Sequence, residues 1–271
     1  MVRNRTRWAL LACIHVAILL SFQMAVGAEA GNQQAGQVSL RVLLVTGEDY
    51  PGHKWRETAP VLLAELYKDS RLTVDVLADL ESLQSTNLDD YASVVLHFKN
   101  YDPAVPGREG FDNLANYVKE GGGLVLLHFA CGAFEEFKDD FERLAGRVWF
   151  GQQPPPGRHQ HDPRGTFTVN IARTDHPITQ GMKDFETVDE LYTCLEGEVP
   201  ITPVATAVSK VDGKTYPIAF VLFSGEGRVF HCVLGHDVKA LSASGPAELI
   251  RRGTAWTADL DPIPREASKQ E

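Results

Sequence analysis

One apolar stretch with glycines on both sides constrains the fold more than any other feature. Residues 121–132 read GGGLVLLHFACG, so four consecutive apolar residues follow three glycines and lead to His128 and Cys131. An uninterrupted apolar run is typical of a strand that is covered on both faces, as in a parallel sheet. Ligands of open α/β sheets bind beyond the carboxyl ends of the strands. The sequence therefore predicts such a sheet, with His128 and Cys131 at its ligand-binding edge.

Two other predicted strands also lead to histidines. Residues 228–237 read RVFHCVLGHD, which places His231 within an apolar run and His236 just after it. His53 lies in the loop that follows the first apolar run, residues 40–46. Since the carboxyl ends of parallel strands share one edge, we expect His53, His128, His231 and His236 to converge there.

The order of the remaining patterns predicts an α/β fold. In the first half, strands expected at 40–46, 72–77, 93–98 and 124–129 alternate with helices expected at 57–67, 111–118 and 134–144. This alternation favours a doubly wound, mostly parallel sheet with helices on both faces. In the second half, strands are expected at 166–171, 201–206, 217–223 and 228–234, and a helix at 247–256. The turn Ser224-Gly225-Glu226-Gly227 predicts that the last two strands form a C-terminal hairpin extension.

The two ends of the chain differ in composition from the rest. Three arginines, an apolar run from Trp8 to Phe22 and small residues after it are typical of a secretory signal peptide, residues 1–28. An uncleaved anchor is the weaker alternative, because the run is shorter than the ~20 residues of a spanning helix. A polar leader (29–38), one domain (39–259) and a polar tail (260–271) would follow. These features predict a periplasmic or extracellular protein that has no membrane association after cleavage.

Charge and cysteine content exclude several classes of protein. The formal net charge is −10, and loss of residues 1–28 would make the chain more acidic. We therefore expect no binding to nucleic acid. Without its first 28 residues the chain would keep Cys131, Cys194 and Cys232, an odd number that leaves at least one free thiol. A small ligand is the expected partner, and a homo-oligomer is left open.

Several motifs, in order, resemble the trehalose-utilisation (ThuA-like) family, a branch of the class I glutamine amidotransferase-like fold. They are Gly52-His53-Lys54, the run from Gly121 to His128, Thr174-Asp175-His176-Pro177-Ile178, Glu190-Leu191-Tyr192, and the run from Gly227 to His236. The resemblance covers residues 40–258. It implies a flavodoxin-like α/β sandwich and a link to the catabolism of trehalose and related disaccharides.

Two departures from the amidotransferase pattern argue against glutamine hydrolysis. Those enzymes place a glycine two residues before the nucleophilic cysteine, whereas Phe129 stands two residues before Cys131. They also use a His-x-Glu pair late in the chain, whereas His236 and Asp237 are adjacent here. We expect no glutaminase activity.

The first functional hypothesis is an exported enzyme that acts on a disaccharide or keto-sugar. In it, His236 moves a proton with help from Asp237 or Glu190, while His53, His128 and Tyr192 bind or polarise the sugar; His128 is also a candidate catalytic residue. The four histidines could instead hold a divalent metal such as zinc. Helix capping is the alternative role of Asp237.

Two other hypotheses use the same positions differently. In a non-catalytic carbohydrate-binding protein, Trp55, Asn100, Tyr101 and Tyr192 would stack on and hydrogen-bond to the sugar. In the weakest hypothesis, an amidase or hydrolase, Cys131 would be the nucleophile. Cys131 could also contact substrate, or be a buried inert thiol.

Overall fold

The fold is described from a computed structural model of the chain, which defines residues 39–101, 105–149 and 160–263. These residues belong to one compact unit, Gln37–Glu271. The predicted signal peptide and polar leader, and residues 264–271 of the predicted tail, lie outside the described residues. Within the described ranges, no helix is both long and apolar enough to cross a bilayer.

Strands and helices alternate in the first half of the chain, and strands dominate the second. In chain order they are β1 (Leu40–Thr46), α1 (Trp55–Leu66), β2 (Leu72–Leu77), β3 (Ser93–His97), α2 (Gly107–Lys119), β4 (Gly123–Leu127), α3 (Lys138–Ala145), β5 (Gly165–Ile171), β6 (Phe185–Asp189), β7 (Thr202–Val208), β8 (Thr215–Ser224), β9 (Gly227–Cys232), α4 (Val238–Ser242) and α5 (Ser244–Thr257).

The nine strands of the described residues form one mixed sheet in the order β2-β1-β3-β4-β9-β8-β7-β5-β6. The first five are parallel, and their order is the 2-1-3-4-5 arrangement of flavodoxin-like folds. The other pairings are antiparallel, so the expectation of a mostly parallel sheet is wrong. The two strands of the expected hairpin correspond to β8 and β9. However, β9 is a central strand bonded to β4 rather than part of an extension, because Leu124 pairs with Val229.

The apolar core lies in two clusters, one on each face of the sheet. Along β1, Val42 and Leu44 belong to one cluster and Leu43 and Val45 to the other, as strand alternation requires. Helices α1 and α5 contribute to the first cluster, and α2 and α3 contribute to the second. The parallel part of the sheet is therefore covered on both sides, and ligands are expected to reach it beyond the carboxyl ends of its strands.

Local structure departs from the sequence prediction where the chain leaves β4. The strand ends at Leu127, and His128–Gly132 form a 3₁₀ turn. The helix expected at 134–144 is interrupted, because Phe134 adopts the left-handed conformation with φ 53°. A 3₁₀ turn at Glu135–Phe137 therefore precedes α3. Strand β6 and the short helix α4 were not predicted.

Candidate functional site

Three histidines and one carboxylate meet at the carboxyl edge of the parallel strands. His53 lies between β1 and α1, His128 follows β4, His236 follows β9, and Glu190 follows β6. One nitrogen or oxygen atom from each of the four lies within 4.8 Å of the corresponding atoms of the others. The sequence expectation placed three of these histidines at this edge, and the structure brings them together with Glu190.

Backbone geometry directs two of these histidines into the site. His128 has φ 45°, a left-handed conformation that is uncommon and costly for a residue other than glycine. Gly235, with φ 120°, forms the turn before His236. A side chain there would be strained by the backbone, and its Cβ would lie 3.0 Å from Leu241.

Hydrogen bonds fix the His128 ring. Its Nδ1 lies 2.7 Å from the carbonyl oxygen of Val233. A carbonyl only accepts, so Nδ1 carries the proton and Nε2 has the lone pair. This Nε2 is 2.9 Å from the hydroxyl of Tyr192, 3.3 Å from Nδ1 of His236 and 3.6 Å from Oε2 of Glu190. His128 therefore offers a lone pair at the centre of the group.

Glu190 and His236 form a close pair, with 3.2 Å between Oε2 and Nδ1. Burial raises the pKa of Glu190, but the neighbouring His128 ring and the hydrogen bond from His236 outweigh it and hold that pKa well below its usual range. The hydrogen bond to Glu190 in turn raises the pKa of His236. Glu190 is therefore ionised at neutral pH and is a weak base.

His53 has an unused nitrogen. Its Nδ1 is 3.1 Å from the hydroxyl of Tyr101. Burial, and then the neighbouring His128 and His236, lower the pKa of His53 to about 2, so its ring is neutral. Its Nε2 is buried without a hydrogen-bond partner in the part of the chain that the structure describes. A buried polar atom without a hydrogen bond destabilises the fold unless a bound ligand or metal ion interacts with it.

Asp189 supports the group from behind. Its buried carboxylate accepts from the backbone N–H groups of Gly235 at 2.8 Å, His236 at 3.2 Å and Glu190 at 2.8 Å. One side chain thus ties the loop of His236 to the backbone of Glu190. The sequence analysis missed Asp189, although it adjoins Glu190.

The spacing of the group suits a divalent metal ion. His128 Nε2, His236 Nδ1 and Glu190 Oε2 are separated by 3.2, 3.3 and 3.6 Å. Ligands about 2.0–2.1 Å from a tetrahedral zinc ion lie about 3.3–3.4 Å from one another. The three atoms therefore match one face of such a site, and Nε2 of His53 is available as a fourth ligand. The bond from His128 Nδ1 to a backbone carbonyl is the usual support of a metal-bound imidazole.

A cavity of about 230 Å³ opens onto this group. Aromatic side chains form much of its wall: Tyr50, Tyr101, Phe129, Trp149 and Tyr192. The rings of Tyr50 and Tyr101 stack with 3.9 Å between their centroids. A concave aromatic site with a few convergent polar groups is typical of a small-molecule binding site.

The structure does not bring His231 into the group. Its side chain faces the opposite side of the sheet, where Nδ1 is 3.2 Å from the carbonyl oxygen of Ala145 and the ring centroid is 4.6 Å from that of Phe220. Alternation along β9 places His231 on the same side as Val229, in the second core cluster. The expectation that His231 is a metal ligand is therefore wrong.

Cys131 is close to the cavity in sequence but buried beneath it. Burial raises the pKa of its thiol to about 12, so the reactive thiolate is scarce at neutral pH. All three described cysteines are free and buried. Cys131 is thus unsuited to the role of nucleophile, and it does not line the cavity.

Three other candidate residues have structural roles. Asp237 caps α4 by accepting from the N–H of Ala240 at 2.9 Å, and it pairs with Arg164 at 2.5 Å. Asn100 accepts from the N–H of Phe134 at 2.6 Å. Trp55 packs against the apolar core. None of Asp237, Asn100 and Trp55 lines the cavity.

Tyr101 and Tyr192 do line the cavity, together with residues that the sequence did not single out as site residues, Lys99 and Trp149. His161 is also in the wall, and its Nδ1 lies 3.8 Å from Oε1 of Glu190. No described strand ends just before Trp149 or His161, so the strand-end argument that placed His53 and His128 did not apply to them.

Fold and site together define a flavodoxin-like α/β protein with a His/Glu group at the carboxyl edge of its sheet. The trehalose utilisation (ThuA) family matches residues 41–257, and the chain therefore belongs to this family. The expected family membership is confirmed. A search of curated proteins finds no match to the chain.

Solved structures share the fold. A ThuA-like protein from Parabacteroides merdae ATCC 43184 is 24% identical, with a TM-score of 0.71 over 84% of this chain and 94% of that one. A ThuA-like protein from Bacteroides uniformis ATCC 8492 is 15% identical, with a TM-score of 0.61 over 87% and 99%. A cytoplasmic protein from Salmonella typhimurium LT2 is 15% identical, with a TM-score of 0.56 over 83% and 100%. At these identities the likeness shows the fold alone.

Proposed function

We propose that this chain is an enzyme that processes a disaccharide or keto-sugar at a divalent metal centre held by His53, His128, Glu190 and His236. The observation that carries the proposal is the convergence of these four side chains, at metal-ligand spacing, on one aromatic cavity. The trehalose utilisation family supports a sugar as the substrate.

A ligand role suits Glu190 better than the role of a base. Its pKa is held well below the usual range, and a weak base is a poor acceptor of a proton from a sugar. When bound, a divalent ion would polarise a carbonyl or hydroxyl oxygen of the sugar. In this account the ligands bind the ion, and other side chains of the cavity move the proton.

His161 is the candidate for that proton transfer. Its Nδ1 is 2.9 Å from the carbonyl oxygen of Asp162, so Nδ1 carries the proton and Nε2 has the lone pair. Imidazole is the side chain that most often acts as acid or base near neutral pH. Tyr192 keeps its hydroxyl proton, because burial raises its pKa well above the usual value. If a metal ion takes the Nε2 lone pair of His128, this hydroxyl would be free to donate a hydrogen bond to the sugar.

An NMR time course of the purified protein with disaccharides and their keto derivatives tests this proposal. New product signals are expected with zinc, and none after removal of metal by a chelator. His236→Ala should remove turnover, whereas His176→Gln should retain it, since His176 lies against Trp256 outside the cavity. Unchanged turnover in His236→Ala, or in chelator, would contradict the metal-centre proposal.

Binding without chemistry is the second candidate, and the stacked aromatic wall of the cavity favours it. It predicts line broadening of one sugar without products, and loss of that broadening when Trp149 or Tyr101 is replaced by alanine.

Export is also part of the proposal, since residues 1–28 have the pattern of a signal peptide. Cell fractionation should find a mature chain, shortened by about 28 residues, outside the cytoplasm. A full-length cytoplasmic chain would contradict it.

A further inference from the structure

The cavity wall also contains a lysine, Lys99, which is not one of the four proposed metal ligands. Lys99 follows β3, and its side chain reaches the cavity wall. Its Nζ lies 5.5 Å from the ring centroid of Tyr101 and 5.7 Å from that of Trp149. Both distances are within the range of cation–π contact.

The position of this side chain is built into the fold. A Cβ at residue 132 would lie 2.9 Å from both Cδ and Cε of Lys99, so Gly132 makes room for the aliphatic stem. The stem packs on the 3₁₀ turn that also begins with His128. The ammonium group is therefore held at the cavity rather than extended into solvent.

No carboxylate neutralises this ammonium group among the residues that the structure describes. Among the described residues of the cavity wall, Glu190 is the one acidic residue, and it lies 3.2 Å from His236 and 3.6 Å from His128. A partly buried charge without a partner is unfavourable. Lys99 and the ionised Glu190 balance in number, so a divalent ion at the His/Glu group would give the cavity a net positive charge in a chain whose formal net charge is −10.

We propose that Lys99, between Tyr101 and Trp149, forms a subsite for an anionic substituent of the ligand, a carboxylate or a phosphate. The substrate of the cavity is then an acidic sugar, with its charged group on Lys99 and its ring against the aromatic side chains. This inference rests on the proposed function of the cavity as a sugar site.

Calorimetric titration of the full protein with D-glucuronate, D-glucose 6-phosphate and neutral D-glucose tests the subsite. A hydrogen bond to a charged group corresponds to roughly 10- to 100-fold in affinity. We expect at least one anionic sugar to bind more tightly than glucose by this factor, both with zinc and in chelator. The stronger of the two anionic probes identifies the substituent as carboxylate or phosphate.

Three lysine variants show whether the preference depends on the charge of Lys99 or on the shape of its side chain. Lys99→Met should remove the preference by weakening binding of the anionic sugar far more than binding of glucose, while Lys99→Arg should retain most of the preference. Lys183→Met makes the same change of net charge at an exposed position outside the cavity and should have no effect. Equal affinity for the three probes in the wild type, or equal losses for all three in Lys99→Met, would overturn the subsite.

The two proposals can fail separately. If no sugar is turned over but the anionic preference persists and depends on Lys99, the subsite stands and the enzymatic proposal fails. If a neutral sugar is turned over without any anionic preference, the enzymatic proposal stands and the subsite fails.

Discussion

His128 directly follows strand β4 and His231 lies within the neighbouring strand β9. Both rings have the same local support, yet their surroundings differ. Both side chains are fully buried. Each ring has Nδ1 near a backbone carbonyl oxygen, that of Val233 for His128 and that of Ala145 for His231. His128 Nε2 meets the hydroxyl of Tyr192, whereas Nε2 of His231 has no partner in the described part of the chain.

The difference comes from where each residue lies relative to its strand. His128 is beyond the end of β4, where a left-handed turn directs the ring to the cavity. His231 is within β9, where alternation commits its side chain to the core. A buried histidine with an oriented ring is therefore not enough to make a site residue. The residue must also lie at the edge of the sheet where the parallel strands end.

The largest expected effect separates the two histidines by metal affinity. His128→Asn should lower zinc affinity by more than about 100-fold, since loss of an outer-shell partner alone costs 10- to 100-fold. Asparagine tolerates the positive φ at residue 128. His231→Asn should leave zinc affinity unchanged. Calorimetric zinc titrations of both variants measure this, and equal losses would show that the comparison is wrong.

Replacing Asp189, which supports the metal ligands without contacting the ion, should have a smaller effect on zinc affinity. Asp189→Asn replaces an acceptor of three backbone N–H groups by an amide that can accept with only one of its two atoms. The loop of His236 should loosen, and zinc affinity should fall by about 10- to 100-fold. Asp184→Asn is the control, because Asp184 bonds Asn170 and Ile171 outside the cavity. If both variants bind zinc as the wild type does, Asp189 does not support the centre.

The smallest expected effect concerns stability and belongs to His231. Burial lowers its pKa to about 4 from an unfolded value of 6.5. The unfolded chain therefore binds more protons between these pH values, and stability is lost as the pH falls through this window. From pH 7.5 to pH 5.5 this residue should cost roughly 1 kcal/mol of unfolding free energy.

Urea unfolding of metal-free protein at the two pH values measures that dependence. His231→Asn should lose less stability over the interval than the wild type, by that amount. The slope that remains in the variant includes His97, whose burial lowers its pKa to about 3. An identical pH dependence in both proteins would contradict the buried, neutral state of His231.

The sequence could predict the parallel half of the sheet and the edge where its ligands bind. The apolar runs that become β1, β3 and β4 are continuous, and short loops follow them, so His53 and His128 could be placed from periodicity alone. His231 was misplaced because it lies inside the strand expected at 228–234, and a residue inside a strand points to one face of the sheet instead of to the edge where the strands end. Alternation along the strand already indicated the correct face, because His231 shares the parity of Val229, and Phe230 and Cys232 have the other parity.

The other wall of the cavity could not be predicted in the same way. Glu190 follows β6 and Tyr192 forms an isolated bridge with His161, so neither lies within a strand whose periodicity could place it. Strand β6 reads FETVD, too short and polar to be recognised. Asp189 and Lys99 act through tertiary contacts, which local patterns do not specify.

The most direct test of the account is a crystal structure of the zinc-loaded protein with an anomalous difference map at the zinc absorption edge. We expect one peak about 2.0–2.2 Å from Nε2 of His53, Nε2 of His128, Nδ1 of His236 and a carboxylate oxygen of Glu190. A map without a peak among these four side chains, or with its peak at His231, would contradict the proposed metal centre.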